Sequence, residues 1–268
     1  MFHALRLYRH YAAASIRAQA QYPASLAMLT FGQFLGALTE FIAIWALFAR
    51  FGRIQGWRFG EVAIFYGVVN VAFAVADAIT RGFDIFGPEF VKTGAFDRLL
   101  LRPRATAFQL LGHELRLTRI GRLIQGIIVF CIGVASTPLH WDLGSAALIA
   151  WALAGGTALF SGLLVLQATL AFWTVESLEI ANILTYGGVQ AGEYPLGVYA
   201  AWFRDLLIFV VPIGCVAYFP VVALLGRHDP LGAPDWFLPV SPVLGLVFLA
   251  VSLWVWGFGV RRYASSGS

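Results

Sequence analysis

Charge is scarce in this sequence. Asp, Glu, Lys and Arg make up 12% of the 268 residues, about half the share usual in a soluble globular domain. A single lysine, Lys92, occurs, in the string "GPEFVKT". A phosphate-binding loop needs glycines that let backbone N–H groups cradle phosphates, followed by Lys and Ser/Thr. Thr93 follows Lys92 but no glycine directly precedes it, so the chain does not hold ATP in that way. Only two cysteines occur, Cys131 and Cys215, far apart and both in apolar runs. They read as small buried apolar residues and exclude a disulfide framework or a cysteine metal pair. The five histidines, His3, His10, His113, His140 and His228, fall outside the apolar stretches, which argues against an intramembrane metal or haem. "HELRLTR" from His113 starts like a zinc-binding H-E-x-x-H but has Leu117 where the second ligand belongs. "ALFSGLL" around Ser161 lacks the flanking glycines of a nucleophile elbow. The first 22 residues carry Arg6, Arg9 and Arg17 and no continuous apolar core, so no cleavable signal peptide is expected.

What fills the chain instead is apolar: 60% hydrophobic residues and a mean hydropathy of +0.78. The fold class expected is an all-α integral membrane protein. About 20 apolar residues cross a bilayer as a helix, and six stretches qualify, roughly 24–49, 62–80, 120–138, 144–173, 205–226 and 237–260. The fourth lies in an uncharged run from Leu143 to Val175 and is expected to tilt. The fifth holds Pro212 and Pro220, which kink or break it. An even number of spans puts both termini on one side. With the termini inside, fourteen of the 18 Arg and Lys residues fall on inner segments and four, Arg50, Arg53, Arg58 and Arg227, on outer loops. Both termini are therefore expected in the cytoplasm.

Residues 1–22 read as a helix in the membrane interface, with Leu5, Ala12 and Ile16 on one face and Arg6, His10 and Arg17 on another. A plain basic flank that sets orientation is the other reading. Residues 23–268 form the six-span domain, with cytoplasmic loops at 81–119 and 176–204. The latter, which carries Glu176, Glu179, Asn182 and Glu193, reads as a cytoplasmic helix followed by a turn at Gly187-Gly188 and re-entry after Pro195.

"PEFVKTGAFDRLLLRPRAT" (88–106) is the densest cluster of charge. Gly87-Pro88-Glu89 suits a helix start and Gly94 a stop. A second short helix over Ala95–Leu101 ends at Arg102-Pro103, because the residue before proline avoids the helical region. Phe86, Phe90 and Phe96 stand as apolar knobs among the charges, which suits docking of a soluble partner. A solvated loop that only obeys the charge rule fits equally.

Two carboxylates lie within spans, Glu40 and Asp77. An ionised group at a helix centre costs about 2.5–3.5 kcal/mol on insertion scales, so such groups face protein or water. They read either as part of a pathway or gate, or as an interfacial pair of Asp77 with Arg81 and a Glu40 that snorkels. Gln33, Asn70, Gln125 and Gln167 suit hydrogen bonds between helices, and Gly32-x-x-x-Gly36 suits close helix approach.

"GAFDRLLLRPRATAFQLLG" (94–112), "FWTVESLEIANILTYGGVQAGEYPLGVY" (172–199), "VVPIGCVAYFPVVALLGR" (210–227) and the C-terminal "VWGFGVRRYASSGS" (255–268) together resemble bacterial ABC-2 type transporter permeases. The resemblance spans most of residues 80–268. In the branch it matches, a Thr is expected near Ser266. It implies six spans, an N-terminal interfacial helix and a coupling helix between the second and third spans. It further implies an inner-membrane exporter in which this chain is one of two related permeases sharing a separate ATPase, two copies of which carry the ATP and Mg. No cofactor is then expected in this chain, nor any nucleic-acid partner, and lipid surrounds it. Under this resemblance Phe90, Phe96, Asp97 and Arg98 are the expected ATPase contacts, with Glu89 and Arg102 on the rim. The competing functions are an ATP-independent transporter or channel subunit, for which no inverted repeat or midplane charge is seen, and an intramembrane enzyme, for which no catalytic set is seen.

Overall fold

A computed structural model describes residues 2–139, 141–174 and 178–264, with side chains placed from Tyr8 in the first stretch and from Thr185 in the last. Glu176 and Ser266, and the side chains of Glu179 and Asn182, lie outside the described residues. The chain is all-helical apart from one small hairpin. Helix α1 (Phe2–Ala20) leads into α2 (Pro23–Phe51), which starts on Pro23, where the missing N–H costs nothing. Strands β1 (Arg53–Ile54) and β2 (Trp57–Arg58) pair antiparallel through a turn in which Gly56 takes φ 82°. Helix α3 (Phe59–Ile79) follows directly, its first N–H groups served by Glu61, which accepts from the Arg58 amide at 2.8 Å.

A run of short elements comes next: α4 (Arg81–Asp84), a π-helical turn (Phe86–Val91), α5 (Phe96–Leu100) and α6 (Thr106–Leu111). The chain then returns through α7 (Ile120–Ala135), α8 (Leu143–Leu170) and α9 (Leu178–Gly192). Asp142 caps α8 by accepting from the Ser145 hydroxyl and amide, and these two bonds, the hydroxyl's first, hold its carboxyl below the usual range. Four short helices, α10 (Ala201–Asp205), α11 (Ile213–Val216), α12 (Tyr218–Leu224) and α13 (Phe237–Val240), precede the last long one, α14 (Val243–Arg262). Among the described residues, five helical stretches are long and apolar enough to span a membrane: Pro23–Phe51, Phe59–Ile79, Leu117–Ala135, Leu143–Leu170 and Phe237–Arg262.

Helix α3 is the axis of the bundle, buried along almost its whole length against α7, α8 and α9. The helices around it leave large apolar side chains bare, among them Met28, Phe31 and Trp45 on α2 and Trp254 on α14, the surface a protein keeps when its solvent is lipid. Without a hydrophobic drive between helices in lipid, close approach supplies the packing. Gly245 of α14 sits where any Cβ would collide with the Gly155 carbonyl of α8, and Gly121 of α7 where one would strike the Thr30 carbonyl of α2. Gly32 and Gly36, by contrast, meet nothing within 4 Å of a Cβ position; that pair packs against no other part of the chain.

The bundle has two ends. One carries the β-hairpin, where Trp57 rings stack edge-on with Tyr218 at 6.2 Å and Arg227 pairs with Glu61 at 2.5 Å. The other carries residues 80–119, with Arg116 donating its amide to the Ala78 carbonyl at 3.0 Å.

These ends correct the expected fifth span. Residues 205–226 are not one continuous helix. Ala201–Val210 and Ile213–Leu224 are bent by 69° about Val211-Pro212, where φ and ψ at Pro212 leave the helical region. Both arms begin and end at the hairpin end: Gly197 approaches Gln55, and Arg227 meets Glu61. The bend dips inward until Ile213 touches Gly188 and Gly192. Helix α9, in the stretch expected as the 176–204 loop, runs between the two ends of the bundle. Thr185 reaches Gln167, near the loop end of α8, at 3.2 Å, and Gly197 reaches the hairpin. At 15 residues α9 is too short to register as a span by hydropathy, and the polar residues at its start conceal it.

Candidate functional site

Phe86, Phe90 and Phe96 were the expected docking knobs of the loop, and the structure turns all three inward. Phe86 and Phe96 are fully buried and Phe90 nearly so. Phe86 lies 5.0 Å from Phe96, 5.1 Å from Phe172 at the end of α8 and 4.9 Å from Trp256 of α14, ring centre to ring centre. Phe96 also meets Tyr263 edge-on at 5.0 Å, and Phe90 meets His113 at 4.9 Å. Each such aromatic pair adds about 0.5–1.5 kcal/mol to its burial. The physical reason for the correction is that apolar rings in a short loop find more contact in a neighbouring helix end than in water. Phe86 and Phe96 are therefore rivets joining the loop to the ends of α8 and α14, and Phe90, stacked on Phe86 at 6.0 Å, is buried behind them.

The charged residues of the same loop face outward. Glu89, Lys92, Arg98, Arg102 and Arg104 are exposed, with Leu101 bare at 85% among them, while Asp97 is half-buried. The helix punctuation read from sequence is present: Gly94 stops the first turn with φ 67°, and α5 ends before Arg102-Pro103. Gln109 donates to the carbonyls of Leu99 and Arg104, both at 3.0 Å, and so pins the chain that follows α5.

A second set of groups runs through the bundle as a polar seam. Arg119, Arg122 and Gln125 recur every third residue and so share one stripe of α7. Arg119 pairs with the buried Asp77 at 2.6 Å and donates to Gln33 at 2.7 Å. Arg122 pairs with Glu40 at 3.1 Å, its guanidinium 5.4 Å from the centre of the Phe73 ring. Gln125 donates to the Tyr66 hydroxyl at 3.2 Å, and that hydroxyl donates to the Ala37 carbonyl at 2.8 Å. Beyond it, Asn70 donates to Glu193 at 2.9 Å, a carboxyl only 3% exposed that makes no ion pair among the described residues.

The seam corrects one pairing and adds partners that the sequence reading missed. Arg81 does not reach Asp77. Helix α3 ends at Ile79 with Thr80 off the helical path, so Arg81 starts a new helix and pairs with Asp84. Arg119 and Arg122 were counted only as charges setting orientation; their three-residue spacing ahead of Gln125 was the available signal. Glu193 was read as part of a surface loop, although apolar neighbours flank it on both sides. The four amides Gln33, Asn70, Gln125 and Gln167 do bond between helices. The Asp77–Arg119 and Glu40–Arg122 pairs each match one carboxylate with one guanidinium, as low-dielectric surroundings favour. Among the described residues no three His, Cys, Asp or Glu side chains converge closely enough to hold a metal ion.

Comparison with characterised proteins and with solved structures returned no match. Comparison with protein families returned one: the model for ABC-2 family transporter proteins matches residues 34–267, from the middle of α2 to the C-terminus, and so takes in the seam, the riveted loop and α9. A chain matched over nearly its whole length, with several membrane-spanning helices and a charged loop clamped to the last of them, belongs to the ABC-2 family of transporter membrane proteins.

Proposed function

We propose that this chain is the permease subunit of an ATP-driven exporter and that a separate ATPase docks on the 80–119 end of the bundle. The observation that carries the reading is the two-sided construction of that loop. Its exposed face bears Glu89, Arg98, Arg102 and Arg104, and its buried face is bolted by Phe86 and Phe96 to the ends of α8 and α14. A push on the charged face reaches two spanning helices through closely packed rings. Members of the ABC-2 family work with ABC ATPases, and the lack of a phosphate loop here leaves ATP and Mg to that partner.

The contacts we assign to the ATPase are Arg98 and Arg102 with Glu89 beside them, and Asp97 at the base of the same turn. Two ATPase copies and a second, related permease would complete the assembly. Charge placement supports a cytoplasmic loop end. With α9 as the crossing, Arg204 moves to the hairpin end, and thirteen Arg and Lys residues remain at the loop end against five. Both termini share the loop end, in a bacterial inner membrane. Within the bundle, Glu40 and Asp77 with their arginine partners serve as a gate whose ion pairs exchange as substrate passes.

Expression with neighbouring genes, purification in mild detergent and a search for a co-purifying ATPase test the reading. Loss of that ATPase in an Arg98→Glu/Arg102→Glu variant that is otherwise folded is the expected result. A chain that never brings a nucleotide-binding partner with it overturns the proposal.

A further inference from the structure

At the elbow where α1 turns into α2, two hollows adjoin. One is an apolar groove of about 580 Å³. Its α2 wall is formed by Pro23, Leu26, Ala27, Thr30, Phe31 and Phe34, and α7 closes the far side. These positions follow the i, i+3, i+4, i+7 stripe of one helix face. From Pro23 to Phe34 the stripe rises about 16 Å at 1.5 Å per residue. That is close to the depth of one leaflet, about half of a 30 Å hydrocarbon core.

The other hollow, about 410 Å³, shares Leu26 with the groove and opens beside the start of α2. Its lining is mixed: Ala18, Tyr22 and Leu29 stand beside Gln19, Ser25 and Thr118 and two charged side chains, Glu114 and Arg116. Its wall is fixed. Ser15 donates to the Leu115 carbonyl at 3.1 Å and accepts from the Leu115 amide at 3.0 Å, and the Leu117 amide donates to Gln19 at 3.0 Å. Neither Glu114 nor Arg116 makes an ion pair among the described residues. Burial, and then the neighbouring Arg119 and Arg81, pull the Arg116 pKa below the ordinary guanidinium value. An anion brought to Arg116 relieves both effects.

An apolar slot one leaflet deep, continuous with a cup that holds one cation and one anion without an ion-pair partner among the described residues, is complementary to a single class of molecule. We propose that the elbow binds one phospholipid with an ammonium-bearing headgroup. Its acyl chain lies along the α2 stripe, its phosphate on Arg116 and its ammonium on Glu114. The proposal rests on the chain spanning a bilayer and is independent of ATPase docking.

Native mass spectrometry of the delipidated full-length chain, titrated with phosphatidylethanolamine or phosphatidylglycerol, is the test. Wild type should retain one phosphatidylethanolamine and hold phosphatidylglycerol about tenfold more weakly, the worth of one charge-assisted contact. Glu114→Gln should erase that preference, and Arg116→Gln should weaken both lipids. Ala27→Trp, which fills the groove, should abolish the adduct. Met28→Trp places the same side chain at an exposed position outside the groove and should change nothing. Three results overturn the proposal: equal retention of the two lipids by wild type, equal behaviour of Ala27→Trp and Met28→Trp, or loss of a dimer rather than a lipid in Ala27→Trp, which would show that a second copy fills the groove. If Ala27→Trp does not fold, Glu114→Gln decides: an unchanged preference overturns the headgroup assignment. ATPase co-purification is expected to be the same in every variant, so failure here is distinguishable from failure of the coupling reading.

Discussion

Trp256 donates its indole N–H to the Thr106 hydroxyl at 3.0 Å, bridging 150 residues of chain and fastening α14 to α6 at the loop end. The same indole packs edge-on against Phe83 at 5.2 Å and Phe86 at 4.9 Å. A side chain on the last span is thus the hub of the charged loop.

Trp256→Phe keeps most of the ring contact and removes the donor. The expected loss of stability is about 1 kcal/mol, the net value of one hydrogen bond. Trp256→Ala empties the hub and should cost about 3–5 kcal/mol. On the coupling account, Trp256→Phe retains the ATPase but lowers the permease-dependent part of its turnover by about fivefold, roughly 1 kcal/mol of barrier. Turnover of the purified complex beside thermal unfolding of the permease separates the two effects. Unchanged turnover in Trp256→Phe would remove the hub from coupling.

Asp77 and Arg119 form a buried pair whose partners are unequal to lose. Arg119→Leu leaves a carboxylate buried without its cation and should lower stability by about 3–5 kcal/mol. The double variant Asp77→Asn/Arg119→Gln replaces the charges by amides and should recover most of that loss. Unfolding midpoints in detergent measure both. If the double variant is as unstable as Arg119→Leu, the pair is not what holds α3 to α7.

Glu193 accepts one hydrogen bond from Asn70 and makes no ion pair among the described residues. Glu193→Gln preserves an acceptor for Asn70 and removes a group whose ionisation is costly at that depth. It should be at least as stable as wild type. Glu193→Leu leaves the Asn70 amide with only the Tyr66 carbonyl as acceptor, one buried N–H short of a partner, and should cost about 1–3 kcal/mol. Equal stability of the two variants would show that the Asn70 contact contributes nothing.

A crossing by α9 can be checked by labelling. With Cys131 and Cys215 replaced, single cysteines at Ala200, His228 and Leu101 are treated with a membrane-impermeant maleimide. Ala200→Cys and His228→Cys should be labelled from one face and Leu101→Cys from the other. Labelling of Ala200→Cys together with Leu101→Cys would restore residues 205–226 as the span.

Hydropathy made four of the spans, and the last one, legible, because long uncharged runs such as Leu143–Leu170 leave no other reading. The short helices of the loop were legible through Gly94 and Pro103, which act locally. What stayed hidden depended on tertiary contact. Helix α9 is short and begins among polar residues, whereas the broken pair 201–224 is apolar enough to read as one span. The aromatic residues of the loop were found, but not their direction, which depends on Phe172, Trp256 and Tyr263, far away in sequence. Likewise the partners of Glu40 and Asp77 lie on α7, 82 residues from Glu40 in the one case and beyond the helix break at Thr80 in the other.

The most direct test of the central claim sets the charged face of the loop against its buried face in one pull-down. Wild type, Arg98→Glu/Arg102→Glu and Phe96→Leu would be purified with the neighbouring gene products and assayed for bound ATPase and its turnover. The account predicts that the charge-reversed variant unfolds at the wild-type temperature yet loses the ATPase, while Phe96→Leu keeps the ATPase and loses coupled turnover. Retention of a fully coupled ATPase by the charge-reversed variant would contradict it.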